Sequence, residues 1–171
     1  MDKDFFPENS SPPLKPTAKE LDLKVDALVA RCRSAGMPMT PQRLGIYRSL
    51  LESLDHPSPE VLFDRVKERM PSISLATIYQ TLDTLVSLGF VAELPSVGDT
   101  KRYDANMGQH HHLVCRRCNS VEDFDDGALS AVKLPRGIHG FRPESLSIHV
   151  HGLCRNCSPT PAGEQKKWPR N

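Results

Sequence analysis

Long apolar runs, aromatic side chains and an excess of either charge are all scarce in this 171-residue chain. No stretch approaches the ~18 apolar residues of a membrane-crossing helix, and the opening MDKDFFPENS has no basic segment followed by an apolar one. No membrane association is expected, and the chain reads as cytoplasmic. Aromatics make up 6% and all hydrophobics 38%, which supports one medium domain or two small ones with modest cores. The formal net charge is +1, with 11 basic and 12 acidic side chains in residues 1–90 and 11 and 9 in residues 91–171. A global positive field is thereby excluded as the basis of nucleic-acid binding, so any DNA surface must come from local placement of charge.

Cysteines number only five, but four of them are paired as Cys115-x-x-Cys118 and Cys154-x-x-Cys157. In a reducing compartment such pairs point to metal rather than to disulfides. Each pair offers two thiolates to one tetrahedral zinc. The 35 residues between Cys118 and Cys154 imply that each pair ends a different strand of one small sheet. Cys32, the fifth, falls on an apolar helical face and reads as a core residue.

Residues 1–17, with four prolines, and residues 159–171 are polar and lack apolar periodicity, so both are expected to be flexible tails. Lys15 and Lys19 read as solvated charge, with contact to DNA phosphates as the alternative. Between the tails, apolar residues recur at helical spacing at Leu21, Val25, Leu28, Val29 and Cys32, and Gly36 ends the run. Thr40-Pro41 and Ser58-Pro59-Glu60 are N-cap signatures that open second and third helices. A fourth helix begins at Ser74 and runs through Ile78, Leu82 and Leu85 to Gly89.

Phe90–Leu94 and Lys101–Asp104 are strand-like and flank the turn sequence Pro95–Thr100. Short helices followed by a hairpin make a winged helix-turn-helix over residues 18–105, with the fourth helix placed to enter a major groove. Its polar positions Ser74, Thr77, Gln80, Thr81 and Thr84 form an uncharged surface suited to base edges. The alternative is a plain helical bundle, whose solvent face would more often carry Lys and Glu. Beyond Ala105, residues 106–158 hold strand candidates at HHLVC, SVEDFD and SLSIHVHGLC around a helix expected at Gly127–Leu134. The fold class is therefore α+β, a winged helix followed by a small α+β domain with a four-cysteine zinc site.

On a strand, alternate residues share a face, so His110 and His112 project together and His111 points away. A closed four-cysteine site has no vacancy for them, so they imply a second metal. His56, Asp104 and Asp123 are candidates to complete it, although position alone does not select them. Imidazole and carboxylate without sulfur suit Fe(II), Mn(II) or Zn(II). His149 and His151 also share a face and read as solvent-facing imidazoles, with metal binding as the alternative.

TPQRLGIYRSL, HPSPEVLF, SLATIYQTLDTLVSLGFV, RYD, HHHLVCRRC and HGLCRNC occur in that order between about Leu21 and Ser158. Together they resemble the ferric uptake regulator family of bacterial metalloregulators. The resemblance implies a winged helix, a carboxy-terminal dimerisation domain, a structural zinc on Cys115, Cys118, Cys154 and Cys157, and a regulatory metal at the hinge. In the peroxide-sensing branch the regulatory ligands correspond to His56, Asp104, His110, His112 and Asp123, whereas the iron-uptake branch typically has Glu in place of Asp104 and Asp123. A further site of the iron-uptake type corresponds here to Gln109, His111, Ser130 and Leu146, so only His111 of it could ligate.

The same resemblance implies a homodimeric repressor of palindromic double-stranded operators, with Fe(II) or Mn(II) as corepressor and His56 and His110 as targets of iron-catalysed oxidation. Tyr79 is placed to contact a thymine methyl beside Thr77 and Gln80, and Arg43, Lys101 and Arg102 to contact phosphates or a minor groove. Gln80 stands where relatives commonly have Arg or Asn. Three alternatives remain: a metal-sufficiency regulator of the same family, a zinc hydrolase using His110 and His112, and a zinc adaptor that only dimerises.

Overall fold

The computed structural model describes residues 16–97, 100–132, 139–142 and 146–158. Most of both expected tails, including Lys15, lies outside the described residues. The first helix, α1 (Ala18–Ser34), opens at Thr17, which makes a reciprocal capping box with Glu20. Gly36, at φ 67, turns the chain out of α1 in a conformation open to glycine, and the N–H of Met37 donates back to Cys32 O at 2.9 Å.

The next three helices, α2 (Pro41–Leu51), α3 (Pro59–Arg69) and α4 (Leu75–Ser87), begin where their caps lie. Thr40, Ser58 and Ser74 are extended, and their hydroxyls accept from the N–H groups of Arg43, Val61 and Thr77. Proline at the start of α2 and α3 sacrifices no hydrogen bond, because a helix leaves its first N–H groups unpaired anyway. The four helices enclose a core that includes Leu28, Cys32, Ile46, Tyr47, Leu62, Ile78, Leu82 and Leu85. Each fully buried leucine stabilises this core by about 1.5–3 kcal/mol. Positions 78, 81, 82 and 85 share the inward face of α4, so Thr81 is buried rather than part of the polar surface expected of it.

Two antiparallel strands follow, β1 (Ala92–Val97) and β2 (Thr100–Asp104). They extend into the expected turn, of which Gly98 and Asp99 lie outside the described residues. Phe90 and Val91 precede the strand instead of forming it. Val91 is buried and Phe90 meets Tyr47 edge-on at 6.0 Å, so the pair completes the helical core before pairing begins. The register shifts between Leu94 and Val97, around Pro95, which has no N–H to give a ladder. The hairpin serves both halves of the molecule: Tyr103 packs in the helical core, whereas Leu94 clusters with Val114 and Val121.

The second half is a three-stranded sheet in the order β4-β3-β5, with β3 (His111–Cys115) central, β4 (Val121–Phe124) antiparallel to it and β5 (His149–Gly152) parallel. A single helical turn, α5 (Gly127–Ser130), is capped by Asp126. It is shorter than expected: Ala131 already caps it and Val132 N–H closes onto Leu129 O, while Leu134 lies outside the described residues.

Candidate metal centres and DNA-facing surface

Two clusters of potential ligands stand out among the described residues, and in each the ligating atoms lie within 4.8 Å of one another. The first is Cys115, Cys118, Cys154 and Cys157. Cys115 ends β3, and the second pair follows β5, the strand that runs parallel beside it. Sheet register thus closes a gap of 35 residues in sequence. The Cys118 and Cys154 sulfurs are 3.6 Å apart, and four thiolates about 2.3 Å from one zinc would stand roughly 3.8 Å from each other. The N–H of Cys154 donates to Cys115 Sγ at 3.3 Å, and such donors, that of Cys154 foremost, pull the Cys115 thiol down to about 6. Cys157, donating to Cys118, is pushed up to about 12. Four thiolates crowded together cannot all ionise without a cation, so the donor set fits a divalent metal. Cys32 is remote from this cluster and fully buried in the helical core.

The second cluster is His56, Asp104, His110, His112 and Asp123. Its members come from three places in the chain. Asp104 ends β2, while His112 and Asp123 are direct partners across β3 and β4 and therefore share a sheet face. His56 stands in the loop between α2 and α3 at φ 48, a left-handed conformation uncommon for a residue with a side chain. That loop is held by Arg65, which grips both oxygens of Asp55 at 2.8 and 2.6 Å and donates to Ser53, and by Arg102, which donates to His56 O at 3.0 Å.

Within the cluster, Nε2 of His56 lies 2.7 Å from Asp123 Oδ1 and 3.6 Å from Asp104 Oδ1. His110 Nε2 lies 3.0 Å from Asp104 Oδ2 and 2.9 Å from His112 Nε2. Atoms about 2.1 Å from a shared ion stand roughly 3 to 3.5 Å apart, so these spacings suit a common ligand shell. Orientation agrees. Although His56 Nε2 and Asp123 Oδ1 are close, neither makes a well-aligned hydrogen bond and both are buried, so they face a shared point more than each other. His110 Nδ1 sits 2.9 Å from Gly108 O, which favours the tautomer whose Nε2 lone pair faces the cluster.

Charge within the cluster is tightly coupled. Burial pushes the Asp104 carboxyl up, but the adjacent imidazoles of His110, His112 and His56 and the hydrogen bond from the Asn106 N–H outweigh it and hold the group well below the usual range. Burial pushes the Asp123 carboxyl up as well, but His56, Asn106 and His110 together outweigh it and lower the group. Its carboxylate partner Asp104 raises His110 to about 9, so a proton there takes the place of a cation. Asn106 was not singled out in the sequence, yet its N–H donates to Asp104 at 2.7 Å and its side-chain amide to Asp123 at 3.1 Å. An Asp-x-Asn turn was the only available signal.

The remaining histidines separate. His111 is fully buried on the opposite sheet face, beside Phe124 and 3.3 Å from Ser130 Oγ, which in turn donates to Asp125 at 2.8 Å. Gln109 reaches the Ser130 carbonyl, so these positions form a hydrogen-bonded group. His149 is half-buried rather than fully solvent-facing: its ring lies 5.0 Å from that of His112, its register partner, and burial lowers its pKa. His151 stays exposed.

Of the residues considered for DNA, Tyr79 and Gln80 are exposed on α4, and Thr77 is half-buried with its hydroxyl 2.8 Å from that of Ser74. The Tyr79 hydroxyl donates to Glu60 at 2.6 Å, and the residue is 37% exposed. Lys101 pairs with Glu93 at 3.1 Å. Arg43 donates to Pro38 O, and Arg102 points inward to the His56 loop. No helix among the described residues is long and apolar enough to cross a membrane.

The Ferric uptake regulator family matches residues 34–151. A Peroxide-responsive repressor PerR of Staphylococcus epidermidis is 31% identical over 140 residues, covering 81% of this chain and 93% of that protein. A zinc-bound manganese uptake regulator has 30% identity and a TM-score of 0.59, covering 74% of this chain and 98% of its own. The Campylobacter jejuni peroxide stress regulator has 28% identity and a TM-score of 0.56, covering 78% and 98%. With a winged helix leading into a sheet that gathers four cysteines, the chain belongs to the ferric uptake regulator family, as a metal-dependent transcriptional regulator and not an enzyme.

Proposed function

We propose that this regulator is a cytoplasmic homodimeric repressor that senses peroxide, with Zn(II) on Cys115, Cys118, Cys154 and Cys157 and Fe(II) or Mn(II) on His56, Asp104, His110, His112 and Asp123. The observation that carries the proposal is the convergence of five nitrogen and oxygen ligands from the helical half, the wing and the sheet. Likeness to repressors named as peroxide-responsive supports the sensing role. So does the presence of aspartate at both carboxylate positions, by the family resemblance.

His56 and Asp104 belong to the winged-helix half, proposed to span residues 18–105, and the other ligands to residues 106–158. Holding all five together fixes the angle between halves. In a dimer this sets the spacing of two α4 helices against a palindromic operator. Only a metal that favours the closed arrangement shifts the population toward it.

Fe(II) bound there would lend the electron that splits peroxide and recover one from the attacked ring, with no net change in the iron. Overall, one peroxide oxygen enters a ring C–H of His56 or His110 and the other leaves as water. His110, at 12% side-chain exposure, and His56 both border a cavity of about 620 Å³ through which peroxide can approach. An oxidised imidazole is a weaker donor, so the two halves lose their tie and DNA is released. Anaerobic loading of the zinc form with Fe(II), or separately Mn(II), followed by dilute peroxide, tests this. DNA release from the iron form alone, with one added oxygen on the His56 or His110 peptide, is expected; intact histidines and retained DNA binding would overturn it.

Likeness to a manganese uptake regulator supports a second reading, control by metal sufficiency. It predicts metal-dependent DNA binding that ignores peroxide.

A further inference from the structure

We infer that Arg102 is a positioning residue for His56, tying the wing to the loop that carries it, rather than a contact to DNA. The inference rests on the proposed regulatory role of the second cluster. Three independent features point to it.

First, the guanidinium is directed inward. Its Nη1 donates to His56 O at 3.0 Å and lies 3.4 Å from Asp55 O, and its Nε is buried without a hydrogen-bond partner. An arginine serving phosphate would present its donors to solvent. Second, Arg102 and Asp104 are two residues apart on β2 and lie on the same side of the strand. The strand therefore reaches one residue twice: Arg102 holds the His56 carbonyl, while Asp104 stands 3.6 Å from the His56 ring. Third, His56 is 4% exposed and at φ 48, a conformation that persists only where the surroundings hold it. Arg65 grips the preceding residue, Asp55, from α3, and Arg102 grips His56 itself from the wing.

The consequence is mechanical. A shift of the wing relative to the α2–α3 loop moves the His56 ring away from the other ligands, so wing position and metal affinity become linked quantities. By reciprocity, filling the site restrains the wing.

Arg102→Ala, Arg102→Lys and the parent, all full-length and zinc-loaded, test this by two readouts. Hydrogen exchange at the amides of Asp55, His56 and Ser58, Pro57 having none, in protein without added manganese reads the clamp directly. Arg102→Ala should speed it about tenfold, with Lys restoring part of the protection. Manganese titration should then show Mn(II) affinity falling about tenfold in Arg102→Ala, while binding to duplex DNA at saturating Mn(II) keeps its affinity and salt slope.

Unchanged loop exchange would overturn the inference. So would unchanged Mn(II) affinity combined with weaker DNA binding and a shallower salt slope, the signature of a phosphate contact. Should Arg102→Ala not fold, Arg102→Lys carries the same two comparisons. Failure of the parent to bind Mn(II) would instead remove the regulatory-site reading, and loop exchange would still decide whether Arg102 holds His56.

Discussion

Asn106 donates its side-chain amide to Asp123 Oδ2 at 3.1 Å, while its backbone N–H reaches Asp104 Oδ1 at 2.7 Å. One residue outside the proposed ligand set thereby fixes both carboxylates, one from the wing and one from the sheet. Arg102 does the corresponding work for an imidazole.

Asn106→Ala should leave the fold intact and lower Mn(II) affinity about tenfold, since outer partners of ligands commonly contribute 10–100-fold. The loss should come from the freed Asp123, because the Asp104 bond uses the backbone. Titration of the zinc-loaded variant with Mn(II) measures it; unchanged affinity would mean that Asp123 needs no such support.

Metal uptake should release protons at neutral pH. His110 is raised from 6.5 to about 9, so its contribution to the stability of the metal-free fold is complete below about pH 6.5 and is lost as pH rises through about 9. A cation bound at the proposed site would replace that proton. Calorimetric Mn(II) titration in two buffers of different ionisation enthalpy should show proton release near pH 7 that declines toward zero above pH 9. Release that is constant over this range would contradict the assignment.

Zinc should hold the sheet more than the helices. Cys115→Ser removes a thiolate at the end of β3, and among the described residues β5 is joined to the sheet through β3 and, by way of the second cysteine pair, through the cysteine cluster. Hydrogen exchange in β5 should accelerate about a hundredfold, since structural zinc supplies folding energy directly. Exchange in α2 and α4 should change little.

Tyr79 offers a separable test of DNA reading. Tyr79→Phe removes only the hydroxyl that binds Glu60 and should keep operator affinity, whereas Tyr79→Ala should cost about 1–3 kcal/mol if the ring contacts a base. Equal losses in both variants would assign the effect to the Glu60 bond instead.

Much of the fold could be anticipated because local chemistry decides it. Thr40, Ser58 and Ser74 cap helices with their own hydroxyls, and the segments HHLVC, SVEDFD and SLSIHVHGLC carry β3, β4 and β5. The paired cysteines needed only matching spacing. What escaped depends on tertiary placement. Thr81 looks like a surface residue until the phase of α4 is fixed by its neighbours in the core. The strands run into Pro95–Thr100 because the register shift accommodates proline. His149 turns toward His112 through a parallel pairing that period-two alternation cannot reveal. Neither the left-handed backbone of His56 nor the inward turn of Arg102 has a signature in adjacent residues, since each is enforced from an element many positions away.

The most direct measurement counts the nitrogen ligands of Mn(II) in the zinc-loaded protein by pulsed electron paramagnetic resonance, with His56→Ala beside the parent. Three imidazoles, falling to two in the variant together with weaker binding, is the result expected of a site formed by His56, His110 and His112. An unchanged count in His56→Ala would show that the metal does not join the helical half to the sheet, and the proposed switch would fail.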